Sequence, residues 1–229
     1  MRNALITGAS RGLGLALARA LAERGWSLVI DARGAEALES ARLELASYTQ
    51  VVTVAGDVTD ASHRLDLLAA VDGPLDLLVN NASTLGASPL PLLAEYPIDA
   101  LEHVFRVNVA APLALIQLAL PVLAYDARVV NVSSDAAVEA YETWGGYGAS
   151  KAALDQLTNV LAAERDDIRV YAVDPGDMNT RMQQDAYPGE DVSDRPLPET
   201  SVPGLLTLIE GELPSGRYAA RELALPVPA

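Results

Sequence analysis

Ala4-Leu5-Ile6-Thr7-Gly8-Ala9-Ser10-Arg11-Gly12-Leu13-Gly14 is the stretch whose reading decides the fold. A short apolar run is followed by glycines at 8, 12 and 14, then by an Ala/Leu segment over 15–24 that stops at Gly25. The pattern reads as strand, tight turn and helix, with Gly25 as the helix stop. Glycines let the backbone turn sharply, approach a ligand closely and pack the helix on the sheet. Free N–H groups at the helix start can then hold a pyrophosphate. A tight connection without a ligand would explain an isolated glycine-rich turn. Its place between a strand and a helix favours a dinucleotide site.

Outward from this unit the alternation continues. Strands are expected at 28–30, 50–55, 76–79, 128–132 and 168–173, and helices at 35–47, 61–71, 98–123 and 147–165. Continuous Val/Leu/Ile runs bounded by turns suit strands buried on both faces. The chain is therefore read as α/β, a single Rossmann-like domain over 1–229 with a doubly wound parallel sheet and helices on both faces. The pattern breaks near residue 181. Asp, Glu and prolines 188, 196, 198 and 203 fill the stretch to 203. It reads as a substrate lid over 181–203, with a tethered surface loop as the plain alternative. The segment from 205 to 229 supplies one more helix and a last strand at 217–219.

With 229 residues and half of them apolar, the chain can bury a sizeable core. Its net charge of −15 opposes nucleic acid and anionic membrane surfaces as partners. The absence of cysteine excludes disulfides and thiol catalysis. No apolar run approaches 18 residues, so no membrane span is expected. Met1-Arg2-Asn3 leads straight into a strand without a charged-then-apolar leader, which favours a cytoplasmic location. His63 and His103 are the only histidines and read as surface helix residues, and no metal site is expected.

Tyr147-Gly148-Ala149-Ser150-Lys151 sets a phenol and an ammonium one helical turn apart. A free tyrosine, with a pKa of about 10, is a poor proton carrier at neutral pH. Lowering it by about 3 units takes roughly 4 kcal/mol. A buried lysine, a cationic cofactor ring and a partly dry cleft are the expected sources, and the result is a general acid or base.

Assembled, these motifs resemble the short-chain dehydrogenase/reductase family over nearly the whole chain. The glycine motif stands as Thr7-Gly8-Ala9-Ser10-Arg11-Gly12-Leu13-Gly14, and the family's Tyr-x-x-x-Lys as Tyr147 to Lys151, with Ser134 thirteen residues upstream. Further matches are Gly56-Asp57-Val58, Asn80-Asn81-Ala82-Ser83 and Pro175-Gly176-Asp177-Met178-Asn179-Thr180. The resemblance implies a carbonyl/alcohol oxidoreductase. Ser134 would hydrogen-bond the carbonyl oxygen, Tyr147 would donate the proton, and Lys151 would hold the nicotinamide ribose. Asn108 would hold a relay water, or else serve as a helix polar group bonding a neighbour. Cofactor contacts are implied at Gly8, Ser10, Arg11, Gly12, Leu13, Gly14, Asp57, Val58, Asn81, Ala82, Tyr147, Lys151, Pro175, Gly176, Met178 and Thr180.

Arg33 and Arg11 favour the 2′-phosphate of NADP. NAD is the alternative, because a one-residue slip would put Asp31 at the discriminating position. Ser83 departs from the family glycine. Tyr141, Trp144 and Met182, with Tyr187, read as walls for a flat or hydrophobic carbonyl or alcohol substrate, or as ordinary packing. Leu113, Leu115, Leu118, Leu154, Leu157 and Leu161 exceed one core stripe, which with the family's helix pairing implies a homodimer or homotetramer. A non-catalytic dinucleotide sensor and an epimerase or dehydratase on the same fold are the other readings.

Overall fold

Seven apolar segments pair into one all-parallel sheet among the described residues, 2–223, of the computed structural model. They are β1 (Asn3–Ile6), β2 (Ser27–Ala32), β3 (Val51–Ala55), β4 (Leu75–Asn80), β5 (Leu123–Val132), β6 (Arg169–Asp174) and β7 (Gly216–Ala219), in the order β3-β2-β1-β4-β5-β6-β7. Alternate residues of each strand enter opposite layers. Ala4, Ile6, Leu28, Ile30, Val130 and Val173 pack with α1 (Gly12–Ala22), α2 (Ala35–Leu45) and α8 (Val202–Glu210). Leu5, Val29, Leu78, Val129 and Val170 pack with α3 (Ala61–Ala69), α5 (Ala111–Ala119) and α6 (Gly145–Glu164). The expected doubly wound single sheet is the observed one.

The chain leaves β1 toward β2 and β3, then returns to place β4 on the other side of β1. Their two adjacent turns are cross-linked. The Thr7 hydroxyl accepts from the N–H groups of Asn81 and Ala82, both at 3.0 Å, while Asn81 Nδ2 donates to the carbonyls of Thr7 and Gly8 at 2.8 and 3.0 Å. At such a reversal of strand order an open α/β sheet leaves a crevice beyond its strand ends.

Three expectations need correction. The helix expected over 98–123 is a rod of three kinds of turn: α4 (Ile98–Phe105), a π segment (Arg106–Ala110), then α5 and a 3₁₀ turn (Leu120–Val122). Pro112 causes the change. It has no N–H to give to the carbonyl of Asn108 four residues back, and its ring clashes there, so the helix widens. Pro121 then closes the rod, and β5 begins at Leu123, five residues before its expected start.

This rod is also long and apolar enough to cross a membrane by length and composition, with a mean hydropathy of 1.5 over 18 residues. The expectation that no segment approaches that measure fails because interspersed polar residues do not lower the average enough. Val104, Val107, Leu115, Ile116 and Ala119 of the rod are buried in the molecule.

The stretch 181–203 is less loop-like than its composition suggests. It holds α7 (Arg181–Ala186), a 3₁₀ turn (Pro198–Thr200) and the start of α8. The Ser201 hydroxyl donates to the Pro175 carbonyl at 2.7 Å, and Asn179 N–H to Pro196 O at 2.8 Å, so its far end is built into the fold. The expected last strand is β7, and the tail beyond 223 lies outside the described residues. Of the six surplus leucines, Leu115 and Leu154 belong to the core.

Gly14 fixes the distance between α1 and the two turns. A Cβ there would lie 2.6 Å from both Gly8 O and Asn81 Nδ2. Gly14→Ala is therefore expected to lower unfolding stability by about 2–3 kcal/mol, read as a lower urea midpoint. An unchanged midpoint would show that the turns can give way freely.

Candidate active site

The crevice is a cavity of about 1160 Å³ running from Arg33 and the glycine-rich turn, past Tyr147, to Trp144 and Tyr187. Its lining includes every expected site residue except Gly14 and Asn108, which stand behind it.

At the first end, α1 begins without a side-chain cap: Arg11 is extended at the N-cap and makes no capping bond. The first-turn N–H groups therefore face the cavity without a side-chain acceptor. Gly12 has φ +56 and meets only Thr180 Cγ2 at 3.6 Å, so the backbone there is open to close approach. Arg11 and Arg33 are exposed and engage in no salt bridge among the described residues. Asp57 Oδ1 accepts from Thr59 N at 2.8 Å and Thr59 Oγ1 at 2.7 Å. Burial raises the Asp57 carboxyl, but these bonds and the nearby Arg33 charge bring it below the usual range. An uncapped helix start, an open glycine turn and two unpaired guanidinium groups fit a phosphorylated dinucleotide.

One sequence expectation fails at this end. His63 is not a surface residue but 5% exposed, its Nε2 2.9 Å from Asp31 Oδ2. Asp31 is 1% exposed, and its Oδ1 accepts from Gly8 N–H at 2.6 Å. Strand register puts Asp31 opposite Val54 and Ala32 opposite Ala55, and Asp31 lines the cavity beside Ala32 and Arg33.

In the middle of the cavity, α6 delivers Tyr147 and Lys151 from one face, both buried. Gly148 permits the approach, since a Cβ there would lie 2.5 Å from Ala136 O in the turn that follows Ser134. Lys151 Nζ donates to the Val132 carbonyl at 2.7 Å and lies 5.4 Å from the Tyr147 ring centroid. Ser134 Oγ donates to Asp135 Oδ1 at 2.9 Å.

Burial pushes the Lys151 ammonium down to about 8, against the pull of Asp155. Burial also drives the Tyr147 phenol above its ordinary range. Hydrogen bonding with the Ser83 and Ser134 hydroxyls pulls it back, while the carboxylates of Asp174 and Asp135 push it further up. The expected help from a dry cleft thus has the wrong sign, because desolvation disfavours the phenolate.

Asn108 is a brace. Its Oδ1 accepts from Thr84 N at 2.9 Å and Ser83 Oγ at 3.1 Å, and its Nδ2 donates to Thr84 O at 2.9 Å and Ser150 Oγ at 3.0 Å. The carboxamide's two donors and two acceptor positions are used, as the helix-polar-group reading requires. Ser83 was legible only as a departure from the family glycine. Beside both the phenol and Asn108, it is a site residue that the sequence did not assign a role.

At the far end Trp144 stacks edge-on against Tyr147, with ring centroids 5.6 Å apart, and lies 6.1 Å from Tyr187. Leu85, Leu90 and Met182 complete this apolar cluster. Tyr141 donates its hydroxyl to Asp135 Oδ2 at 3.0 Å and lines the mouth.

Residues 2–191 match the short chain dehydrogenase family model. The chain is 36% identical over 193 residues to a rhamnolipids biosynthesis 3-oxoacyl-[acyl-carrier-protein] reductase of Pseudomonas aeruginosa, covering 79% of this chain and 74% of that one. It is 35% identical over 195 residues to a benzil reductase ((S)-benzoin forming) of Saccharomyces cerevisiae, covering 79% and 73%. A short chain dehydrogenase from Shigella flexneri complexed with NADP superposes with a TM-score of 0.87 at 26% identity, covering 96% of this chain and 97% of that one. With the glycine turn, the buried Tyr147 and Lys151 and the parallel sheet meeting at one cavity, the chain belongs to the short-chain dehydrogenase/reductase family and is an NAD(P)-dependent oxidoreductase.

Proposed function

We propose that the protein is an NADP(H)-preferring reductase of an uncharged, flat or hydrophobic carbonyl compound, with Tyr147 as the proton donor. The observation that carries this reading is the meeting, on one cavity, of the buried Tyr147 and Lys151 and the half-buried Ser134 with two arginines outside any salt bridge among the described residues at one end and an aromatic cluster at the other.

The cofactor, when bound, supplies the hydride. The rest is work for this chain's residues. Arg11 and Arg33 hold the 2′-phosphate as charge-assisted donors, and the α1 start holds the pyrophosphate. Lys151 holds the nicotinamide ribose and favours the phenolate electrostatically. Ser134 and Tyr147 polarise the substrate oxygen, and Tyr147 gives up its proton as that oxygen gains charge. A phenol held above its ordinary range in a dry site is protonated at neutral pH, which suits an acid in the reductive direction. Trp144, Tyr187 and Met182 shape the substrate end, where the carboxylates Asp135, Asp174, Asp177 and Asp185 disfavour an anionic substrate. The benzil reductase relationship supports a flat aromatic carbonyl.

Turnover is tested by NADPH oxidation with a panel of aromatic diketones, aliphatic ketones and keto acids. Aromatic diketones are expected to react best and keto acids worst; preference for keto acids would contradict the substrate reading. Tyr147→Phe should lose about 10²–10⁴-fold in kcat while keeping its fold and NADPH affinity. Retained activity would remove Tyr147 from the proton step.

Lys151 makes a pH prediction. Its folded value of about 8 lies below the ordinary 10.5, so the buried ammonium costs about 3 kcal/mol at neutral pH. Between pH 8 and 10.5 the unfolded chain holds more of this proton than the folded one, so stability rises with pH there. Lys151→Met lacks the group, and its stability relative to wild type should fall as pH climbs through that window in denaturant titrations. A constant difference would show that the ammonium is well solvated.

A further inference from the structure

Asp31 stands on β2 two residues before Arg33, at the end of the cavity assigned above to the 2′-phosphate. A carboxylate there has two opposite uses. Free, it accepts from a ribose hydroxyl and repels a phosphate; sequestered, it does neither. Here both oxygens are engaged, Oδ1 by Gly8 N–H at 2.6 Å and Oδ2 by His63 Nε2 at 2.9 Å. A carboxylate can only accept in such a pair, so Nε2 carries the proton. The imidazole has little freedom to leave. It lies against Gly56, where a Cβ would come 2.3 Å from Nδ1, and it is 5% exposed.

We propose that His63 is the specificity-determining positioning residue of the cofactor site: by holding Asp31 back against the glycine-rich turn, it keeps this carboxylate from offsetting Arg33 and Arg11 and so selects the 2′-phosphorylated dinucleotide. The proposal rests on the NADP reading above. With Asp31 sequestered, Asp57 is the carboxylate that Arg33 feels, and a second acid is kept from the two arginines. Without the imidazole, a buried carboxylate oxygen loses its partner, and its need for solvation turns it toward the cavity. There it repels a 2′-phosphate and offers an acceptor to a ribose hydroxyl.

The test is calorimetric binding of NADPH and NADH, which needs no turnover. His63→Leu and His63→Asn each remove the donor within reach of Asp31, one with an apolar and one with a polar side chain, so the failure of one to fold leaves the other. His63→Gln keeps a donor of similar reach. Circular dichroism establishes folding first. The ratio of NADPH to NADH affinity is expected to fall at least tenfold in the Leu and Asn variants, to stay near wild type in His63→Gln, and to recover in the Asp31→Asn/His63→Leu double variant, where no carboxylate remains. Equal weakening of both nucleotides in the folded Leu and Asn variants is what a purely structural role gives, and it would overturn the proposal alone. A wild type that favours NADH would overturn the NADP reading and the proposal with it.

Discussion

The hydrogen bonds between the turns after β1 and β4 are the constraint on which the site depends. Thr7 and Asn81 face each other where the strand order reverses, and their bonds hold two backbone turns at contact distance. Parallel pairing alone would leave these ends free to splay, since ladder hydrogen bonds stop where the strands stop. With the turns fixed, α1 starts at the mouth of the crevice, Gly14 has no room for a side chain, and the 83–84 backbone is delivered to Asn108. Asn108 in turn ties this backbone to Ser150 of α6, the helix that carries Tyr147 and Lys151. The glycine-turn end and the Tyr147 end of the cavity are thus two ends of one braced unit.

Charge is distributed unevenly along the cavity. Arg11 and Arg33, outside any salt bridge among the described residues, stand at one end with Asp57 near Arg33, several carboxylates stand at the other, and a buried ammonium lies between them. In a chain of net charge −15, these two guanidinium groups are local cationic contacts in a field that otherwise repels an anion. The middle of the site is held at a cost. Lys151 is charged where desolvation opposes charge, and the Tyr147 phenol is kept neutral by the same desolvation. A seven-stranded sheet with packed helices on both faces supplies the stability that such a site consumes.

Much of this was legible because it is local in sequence. The glycine positions, the Tyr147-to-Lys151 spacing and the strand runs act within a turn or two, and each fell in the expected element. What depends on distant partners was not legible. Asp31 and His63 are 32 residues apart, and nothing in the segments around them announces a contact made through the sheet and α3. Asn108 was identified, but its saturation by Ser83, Thr84 and Ser150 depends on the fold. The sign of the burial effect on Tyr147 likewise requires knowing how dry the site is. The π segment had a local cause in Pro112, whose missing N–H falls four residues after Asn108. An apolar run of helix formers concealed it.

Under the proposed function, a hydride passes between cofactor and carbonyl carbon in this cavity. The most direct measurement uses NADPH deuterated at nicotinamide C4 with a reacting aromatic diketone, followed by mass spectrometry and NMR of the product. One deuterium is expected at the new carbinol carbon, from one face of the nicotinamide only. Product formed without label would contradict it, and would assign the cavity to a reaction that leaves the cofactor unchanged.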